Sequence, residues 1–432
     1  MKNNLILKIF LMVSVVVLAL AGCSESADNG GETKDSEEKI TISFANWVSA
    51  EAATAQGINK VIAEFEDLHP NVKIESIAIP FDQTRQQLLT MTAGGNPPDV
   101  AMLSGPWSQE LGSKGALVDL NTLVTDEYLN DNWKGGLEAG QYEDSLYALP
   151  FSLTPHGFWY NKGLMEKAGL DPNNPPKTMD ELEVAMEQIK SKLGSEGVYP
   201  IGIDTSLIDY ALVQFWPWLY AHDAKPIYNN EANFNTEEVS NALEWLRHVV
   251  KEGYSPVGQQ IKELRELTAK DKIVFRIDGP YLKGVVESLN SAYEGDAFYE
   301  NFGVTTVPVG DNDSSKTLAD IHQLGILSQS KNQEVAMEFI QFLVSSDVSL
   351  NEYQIPSGVI PALKSTQTDL SDPITKAYVD EIFETMVGGP YGPDYGQIQQ
   401  VVIEAMQKAS LSDEPISKIV EDTDKKLKDI LN

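Results

Sequence analysis

Ile40, Ile42 and Phe44 alternate with polar neighbours at period two, the spacing of a strand with one covered face. Ile58, Val61, Ile62, Phe65 and Leu68 then follow helical spacing, and His69-Pro70 predicts the stop, because the residue before a proline is pushed out of helical geometry. Val72, Ile74 and Ile77 predict a second strand and Leu88 to Met91 a second helix. Residues Pro98 to Leu103, entered from a Gly-Gly-Asn-Pro-Pro turn, predict a buried strand. The order is β-α-β-α-β, the signature of a parallel α/β layer. A second series begins at Thr178-Met-Asp-Glu181, which has the form of a capping box, with Leu182, Met186, Ile189 and Leu193 along one helical face behind it. Further helices are predicted at 239–250, 335–343, 398–406 and 416–430, and strands at 273–277 and 303–309. No short internal repeat is present.

The first 38 residues have a different pattern. Lys2 and Lys8 precede an apolar run from Ile9 to Ala21, broken only by Ser14 and too short to span a bilayer as a helix. This is the form of an export signal. Leu20-Ala21-Gly22-Cys23 resembles the lipobox of bacterial lipoproteins, and Cys23 is the chain's single cysteine. The resemblance implies cleavage of residues 1–22 and lipidation of Cys23, which would hold the protein on the outer face of the cell membrane. Residues 24–38 hold no large apolar side chain and read as a flexible acidic tether, so 23–38 links the anchor to the globular part.

Charge narrows the partners. With 32 Lys+Arg against 64 Asp+Glu the 432 residues carry −32, and removal of residues 1–22, which hold two lysines and no acid, makes it −34. Nucleic acid is excluded as a partner, since no basic cluster interrupts this field. At 42% apolar the chain folds with substantial cores, and its length suggests two or three domains.

Doubly wound sheets bind ligands at the carboxyl ends of their strands, and the aromatics concentrate in the segments expected there. Trp47 follows the first strand, Phe81 the second and Trp107 the third. Trp216 and Trp218 lie in Phe-Trp-Pro-Trp-Leu-Tyr, Tyr281 follows the 273–277 strand, and Tyr391 and Tyr395 lie in a Gly- and Pro-rich loop. A pyranose has apolar C–H faces and a hydroxyl rim, so flat rings with carboxylates, amides and Arg around them suit a sugar. Asn46, Glu51, Asp82, Gln83, Arg85, Asp278, His322 and Gln323 are the polar candidates. Residue type alone leaves each ring equally open to a packing role. Trp245, among Ala242, Leu243, Leu246 and Val249, reads as packing, as do Phe339 and Phe342.

Eight segments in order carry a family resemblance: Gly94-Gly-Asn-Pro-Pro-Asp-Val100, Gly115 to Leu120, Tyr147 to Pro150 with Trp159 to Leu164, Lys167 to Asp171, Ile277-Asp-Gly-Pro-Tyr281, Gly303 to Pro308, Gly325 to Asn332 and Gly358 to Pro361. The chain resembles the bacterial extracellular solute-binding proteins of the sugar-transporter class, the group of maltose-binding protein. The resemblance implies a type II periplasmic-binding-protein fold, with two α/β lobes, hinge segments crossing near 152–157, 318–323 and 344–348, and a ligand cleft between. Lobe one would hold 39–152 plus 320–345, and lobe two 153–319 plus 346–432. Tyr281 and Tyr395 fall where relatives often place a stacking ring, and Trp107 lies near another. Tyrosines stand where maltose-binding protein has tryptophans, which leaves the sugar open. The implied function is capture of a carbohydrate, expected to be an oligosaccharide, by lobe closure and its delivery to the permease subunits of an ABC importer, by a monomer without cofactor.

No Gly-x-Ser-x-Gly elbow or His-Glu-x-x-His pair is present among the five histidines. Gly279 to Gly284 begins like a phosphate loop but has Val285 in place of Lys. Asp311-Asn-Asp313 begins like a calcium loop but lacks the Gly and the final Glu. Catalytic residues and a metal site are therefore not expected. A hydrolase, a glycan-binding adhesin and a binder of glycerol phosphates remain alternatives; an anion would call for convergent cations, and the candidate segments supply Arg85 and Arg276.

Overall fold

A computed structural model describes residues 39–431 apart from 133–135, 229–230, 311–314, 319, 367–370 and 388–391. The leader, Cys23, the tether, Tyr391 and the Asp311 to Asp313 turn lie outside the described residues.

The chain opens with β1 (Ile40–Asn46), α1 (Ala55–Leu68), β2 (Val72–Ala78), α2 (Phe81–Ala93), β3 (Val100–Ser104) and α3 (Gly105–Ser113). Then come β4 (Leu149–Leu153), β5 (Gly157–Asn161), α4 (Met179–Leu193), β6 (Tyr199–Gly202), α5 (Asp209–Ala221), α6 (Glu237–Lys251), α7 (Ile261–Ala269) and β7 (Ile273–Asp278). It closes with β8 (Phe302–Thr305), β9 (Ile321–Ile326), α8 (Gln333–Ser345), β10 (Ile360–Pro361), α9 (Tyr395–Leu411) and α10 (Ile416–Leu431).

Two sheets organise these elements. The first has the order β10-β4-β9-β3-β1-β2, with β1 parallel to β2 and β3 as the alternation predicts, and β9 antiparallel to both β3 and β4. The second has the order β8-β5-β7-β6, with β6 and β7 parallel and β5 antiparallel to both its neighbours. Each sheet has its own core: Phe44, Phe65, Leu103, Phe151 and Phe339 on the first, Phe158, Phe215, Trp218, Leu246 and Phe275 on the second.

Local chemistry sets the helix starts. The Thr178 hydroxyl accepts from Glu181 N at 3.1 Å, but the Glu181 carboxylate reaches past Thr178 to accept from Lys177 N at 2.7 Å, so the expected box is offset by one residue. Thr236 caps α6 by accepting from Val239 N. The segment expected to be a Trp-rich loop is instead α5, with Pro217 inside it. Leu212, Phe215, Trp216 and Leu219 sit at i, i+3, i+4 and i+7, a helical stripe that the proline disguises.

The chain crosses from the first sheet to the second between Leu153 and Gly157 and returns between Thr305 and Ile321. These crossings are tied together: Thr154 donates its N–H and its hydroxyl to the Asp320 carbonyl, at 2.9 and 3.0 Å. The chain does not leave the first sheet at 344–348, which corrects the expected third crossing and the assignment of everything after 345 to lobe two. Residues 350–354 lie on α1, where a side chain at Gly57 would stand 2.1 Å from the Glu352 carbonyl oxygen, so glycine permits the seating. Lys60 pairs with Glu352 across it, β10 then pairs with β4, and Lys364 N donates to the Asp131 carbonyl at 2.6 Å. Beyond the undescribed residues 367–370, Tyr378 joins the cluster of Trp159, Phe298 and Phe302 beside the second sheet.

Candidate functional site

The parallel strands of both sheets end towards the crossings, and rings from both sides meet there. Trp47, just past β1, stands edge-on to Phe81 at 5.2 Å between ring centres, to Trp107 at 6.0 Å and to His322 at 5.1 Å. Phe81 and Trp107 are 5.5 Å apart. From the second sheet, Tyr210 at the start of α5 meets Phe81 edge-on at 5.4 Å, and Tyr281, past β7, stacks on His322 at 6.0 Å with 14° between the planes. Such spacings suit aromatic pairs. The Tyr210 and Tyr281 hydroxyls are hydrogen-bonded to each other, and His156 Nε2 is 2.8 Å from the Tyr210 hydroxyl.

A kink aims one of these rings. The β4–β9 register shifts between His322 and Gln323, so Phe151 is bypassed while His322 pairs with Ser152. Such bulges redirect a side chain at a sheet's functional edge. Burial pushes the His322 imidazole down to about 3, helped by the charges of His156 and Arg265. Burial likewise takes His156 down to about 4, against the pull of the Asp278 carboxylate. Both rings are therefore neutral near pH 7 and behave as flat, hydrogen-bonding surfaces.

The charges around the rings are arranged in pairs. The Arg265 guanidinium lies 5.0 Å from the Tyr281 ring centre and 5.9 Å from that of Tyr210, within cation–π range. Its Nε and Nη2 both donate to the Asp278 carboxylate, at 3.0 and 2.8 Å, and Arg276 Nη2 lies 2.7 Å from the same group. Burial raises Asp278, but the two arginines outweigh it and hold the carboxyl below its usual range. Glu51 is raised by burial, with Arg265's charge acting against the rise. Asp320, on the returning crossing, is pushed by burial up to about 7, with the Ser104 hydroxyl donating to it at 3.3 Å.

Of the sequence candidates, Trp47, Trp107, Tyr281 and His322 converge in this cluster, and Glu51 and Asp278 lie beside it. Others have different roles. Asn46 is fully buried, donating to the Phe44 carbonyl and the Ser76 hydroxyl and accepting from Ser49 N, so it shapes the turn after β1. Asp82 is exposed on the first turn of α2. Arg85 donates to both Glu110 oxygens, at 2.8 and 3.0 Å, and lies so close to the first turn of α9 that a side chain at Gly396 would meet its Nη2. Gln323 accepts from the Ser108 hydroxyl at 2.7 Å. Trp218 packs on Trp245 and Phe158 within the second core, and Trp216 stacks on Tyr220 while donating to the hydroxyl of Tyr395, the buried first residue of α9. Sequence reasoning missed Tyr210, His156, Arg265 and Asp320, and noted Phe81 as a ring without choosing it. A tyrosine in the ring-rich segment before Trp216 was a usable signal; Arg265 lies on an amphipathic helix, where the sequence does not separate a buried charge from a solvated one.

The comparisons decide the family. The profile of bacterial extracellular solute-binding proteins matches residues 50–349. The chain belongs to this family. A binding protein of Brucella abortus is 25% identical over 348 residues, 78% of this chain and 77% of that one, and the maltotriose-binding protein of Pyrococcus abyssi is 19% identical over 377 residues, 85% and 78%. Among solved structures, an ABC transporter solute-binding protein of Thermotoga lettingae, bound with α-D-tagatose, superposes with a TM-score of 0.82 at 24% identity, covering 91% of this chain and all of that one. Maltose-bound MalE3 of T. maritima gives 0.80 at 22%, covering 90% and 100%. The solute-binding protein fold is accordingly type II, two α/β lobes with crossing hinge segments and a cleft between them. Among the described residues no helix is long and apolar enough to cross a membrane.

Proposed function

We propose that this solute-binding protein captures a neutral carbohydrate between its lobes and delivers it to the permease of an ABC importer. The observation that carries the reading is the ring cluster drawn from both sheets, Trp47, Phe81 and Trp107 on one side and Tyr210 and Tyr281 on the other. Rings of this kind suit the C–H faces of a pyranose, and sugars or sugar-like ligands occupy several structural neighbours. A neutral ligand is favoured over an anion because Arg265 and Arg276 already share Asp278, and Arg85 is held by Glu110. Phe81 touches Tyr210, so entry of a sugar between them requires the lobes to part, and ligand contacts to both sides then favour closure.

A thermal-shift screen of the fragment from Lys39 against mono- and oligosaccharides tests the class, since a ligand of the native state raises the melting temperature. Response to another solute class alone would remove the carbohydrate reading. With a responding sugar in hand, Trp107→Leu and Tyr281→Ala are expected to weaken binding about tenfold by calorimetry, the loss of roughly one stacking contact. Trp245→Phe, in the second core, should leave the affinity unchanged. Equal affinities in all three variants would take the rings out of the site.

We place lobe one on the first sheet and lobe two on the second, with the hinge at 154–156 and at Leu318 and Asp320. We also infer from the Leu20-to-Cys23 motif that Cys23 carries the lipid anchor. Cys23→Ser is expected to move the protein from the membrane fraction to the soluble fraction; a cleaved Cys23→Ser protein that stays with the membrane at high salt would exclude anchoring through this residue.

A further inference from the structure

Two polar side chains lie beneath the ring cluster on the two crossings, and the packing around them accounts for only part of their hydrogen-bonding capacity. Asp320 is 2% exposed, and its carboxyl receives one long hydrogen bond from the Ser104 hydroxyl at 3.3 Å and one from the Ile321 backbone N–H, which leaves acceptor capacity over. Among the described residues no Lys, Arg or His makes an ion pair with it, unlike Asp278, which holds two arginines. His156 is fully buried; its Nε2 is engaged by the Tyr210 hydroxyl, and its Nδ1 has no partner among the described residues. Buried polar groups are ordinarily satisfied, and those that are not call for a reason.

Position supplies one. Ser104 ends β3, the strand that leads into Trp107, and pairs with His322 two residues beyond Asp320. Gly157, next to His156, pairs with Asp278 at the end of β7, three residues before Tyr281. Asp320 and His156 therefore lie at the strand ends that carry the rings of both sheets, on segments that move least when lobes swing about them. The Asp320 backbone is held there by Thr154.

We propose that Asp320 is a specificity-determining ligand contact: its carboxyl group takes hydroxyls of the sugar at the foot of the ring cluster, with His156 Nδ1 meeting a further ligand oxygen. A carboxylate, the form Asp320 takes above about pH 7, accepts from two neighbouring hydroxyls at once, a demand that a deoxygenated sugar cannot meet. The His156–Tyr210–Tyr281 chain sets which of the two imidazole nitrogens carries the proton, and thereby whether Nδ1 donates or accepts. The rings give affinity for any pyranose face; the crossings discriminate between hydroxyl patterns. This rests on the carbohydrate reading above.

The test is a calorimetric cycle at about pH 8, where Asp320 is ionised, on the fragment from Lys39, using D-glucose, D-tagatose, maltose and maltotriose, with the singly deoxygenated analogues of whichever binds. Asp320→Ala is expected to lower affinity for the parent sugar at least tenfold, the scale of a hydrogen bond to a charged group. It should also erase the loss that one particular deoxy analogue shows with the wild type. Removing both partners of one contact then costs no more than removing either, which a merely structural role for Asp320 would not produce. Should Asp320→Ala not fold, Asp320→Asn carries the same cycle, with a smaller expected loss. A wild type that binds none of the sugars overturns the carbohydrate reading and this contact together. A wild type that binds, with variants that keep its affinity and its full discrimination among the deoxy analogues, overturns the contact alone.

Discussion

Lowering the pH from 6.5 to 4 is expected to destabilise the ligand-free protein by about 3 kcal/mol through three buried groups at the crossings. His156 and His322 have folded values near 4 and 3 against 6.5 for the free side chain, and Asp320 near 7 against 3.8. Between pH 6.5 and 4 the unfolded chain holds a proton on each imidazole that the folded chain does not. The folded chain holds one on Asp320 that the unfolded chain lacks. The net is one proton taken up on unfolding, so stability falls by about 1.4 kcal/mol for each unit the pH drops. Between 6.5 and 7 the imidazoles of the unfolded chain are still partly protonated and offset the proton on folded Asp320, so stability levels off and the optimum of these three groups lies near pH 7. Carboxyls held low in the fold, Asp278 and Glu110, steepen the loss as the pH approaches their unfolded values, and Glu51, held high, offsets part of it. Urea unfolding at pH 4.5, 5.5, 6.5 and 7.5 measures the profile. In His322→Gln the remaining His156 and Asp320 oppose one another, so the slope between 6.5 and 4 should largely vanish. A wild type whose stability is flat across that range would contradict the burial of neutral imidazoles.

Asp278→Ala is expected to destabilise the fold by about 3–5 kcal/mol, because it leaves two arginine side chains facing one another without their shared carboxylate. Asp278 is completely buried, lies at the end of β7 and also accepts from Gly279 N at 2.9 Å, so the change strips the turn that presents Tyr281 as well as the ion pairs. The denaturant midpoint should fall sharply. Asp278→Asn keeps the shape and one acceptor and should fall between the two. If Asp278→Asn retained wild-type stability and lost sugar binding, the carboxylate would be a ligand contact rather than the brace that the geometry describes.

That contrast shows where sequence was informative. The alternation in β1, the continuous apolar run of β3 and the helical stripes of α1, α4 and α6 each have a period set by local geometry, and they lie where the pattern predicts. The strand ends then followed, so Trp47, Trp107 and Tyr281 could be chosen before any coordinates. Asp278 was chosen by the same rule, but its two arginine partners come from α7 and from its own strand, and no spacing announces which acid an arginine will meet. Asp320 is one acid among 64 Asp+Glu, and its isolation from cations is visible only in three dimensions. Pro217 hid a helix, and the path after α8 depended on the seating of residues 350–354 against Gly57, a contact between segments nearly 300 positions apart.

The distribution of indole rings has an optical consequence. Among the described tryptophans, Trp47 and Trp107 belong to the ring cluster, whereas Trp159, Trp216, Trp218 and Trp245 pack on the second-sheet side. Trp47 has a neutral imidazole 5.1 Å away, and protonated imidazoles are efficient quenchers of indole emission, so its brightness is tied to the charge state of His322. Parting of Phe81 from Tyr210 would admit solvent to two emitters while the others keep a constant background. On the proposed lobe motion, indole emission is therefore expected to change when a sugar is added, as a label-free readout that comes from the first-sheet side of the ring cluster.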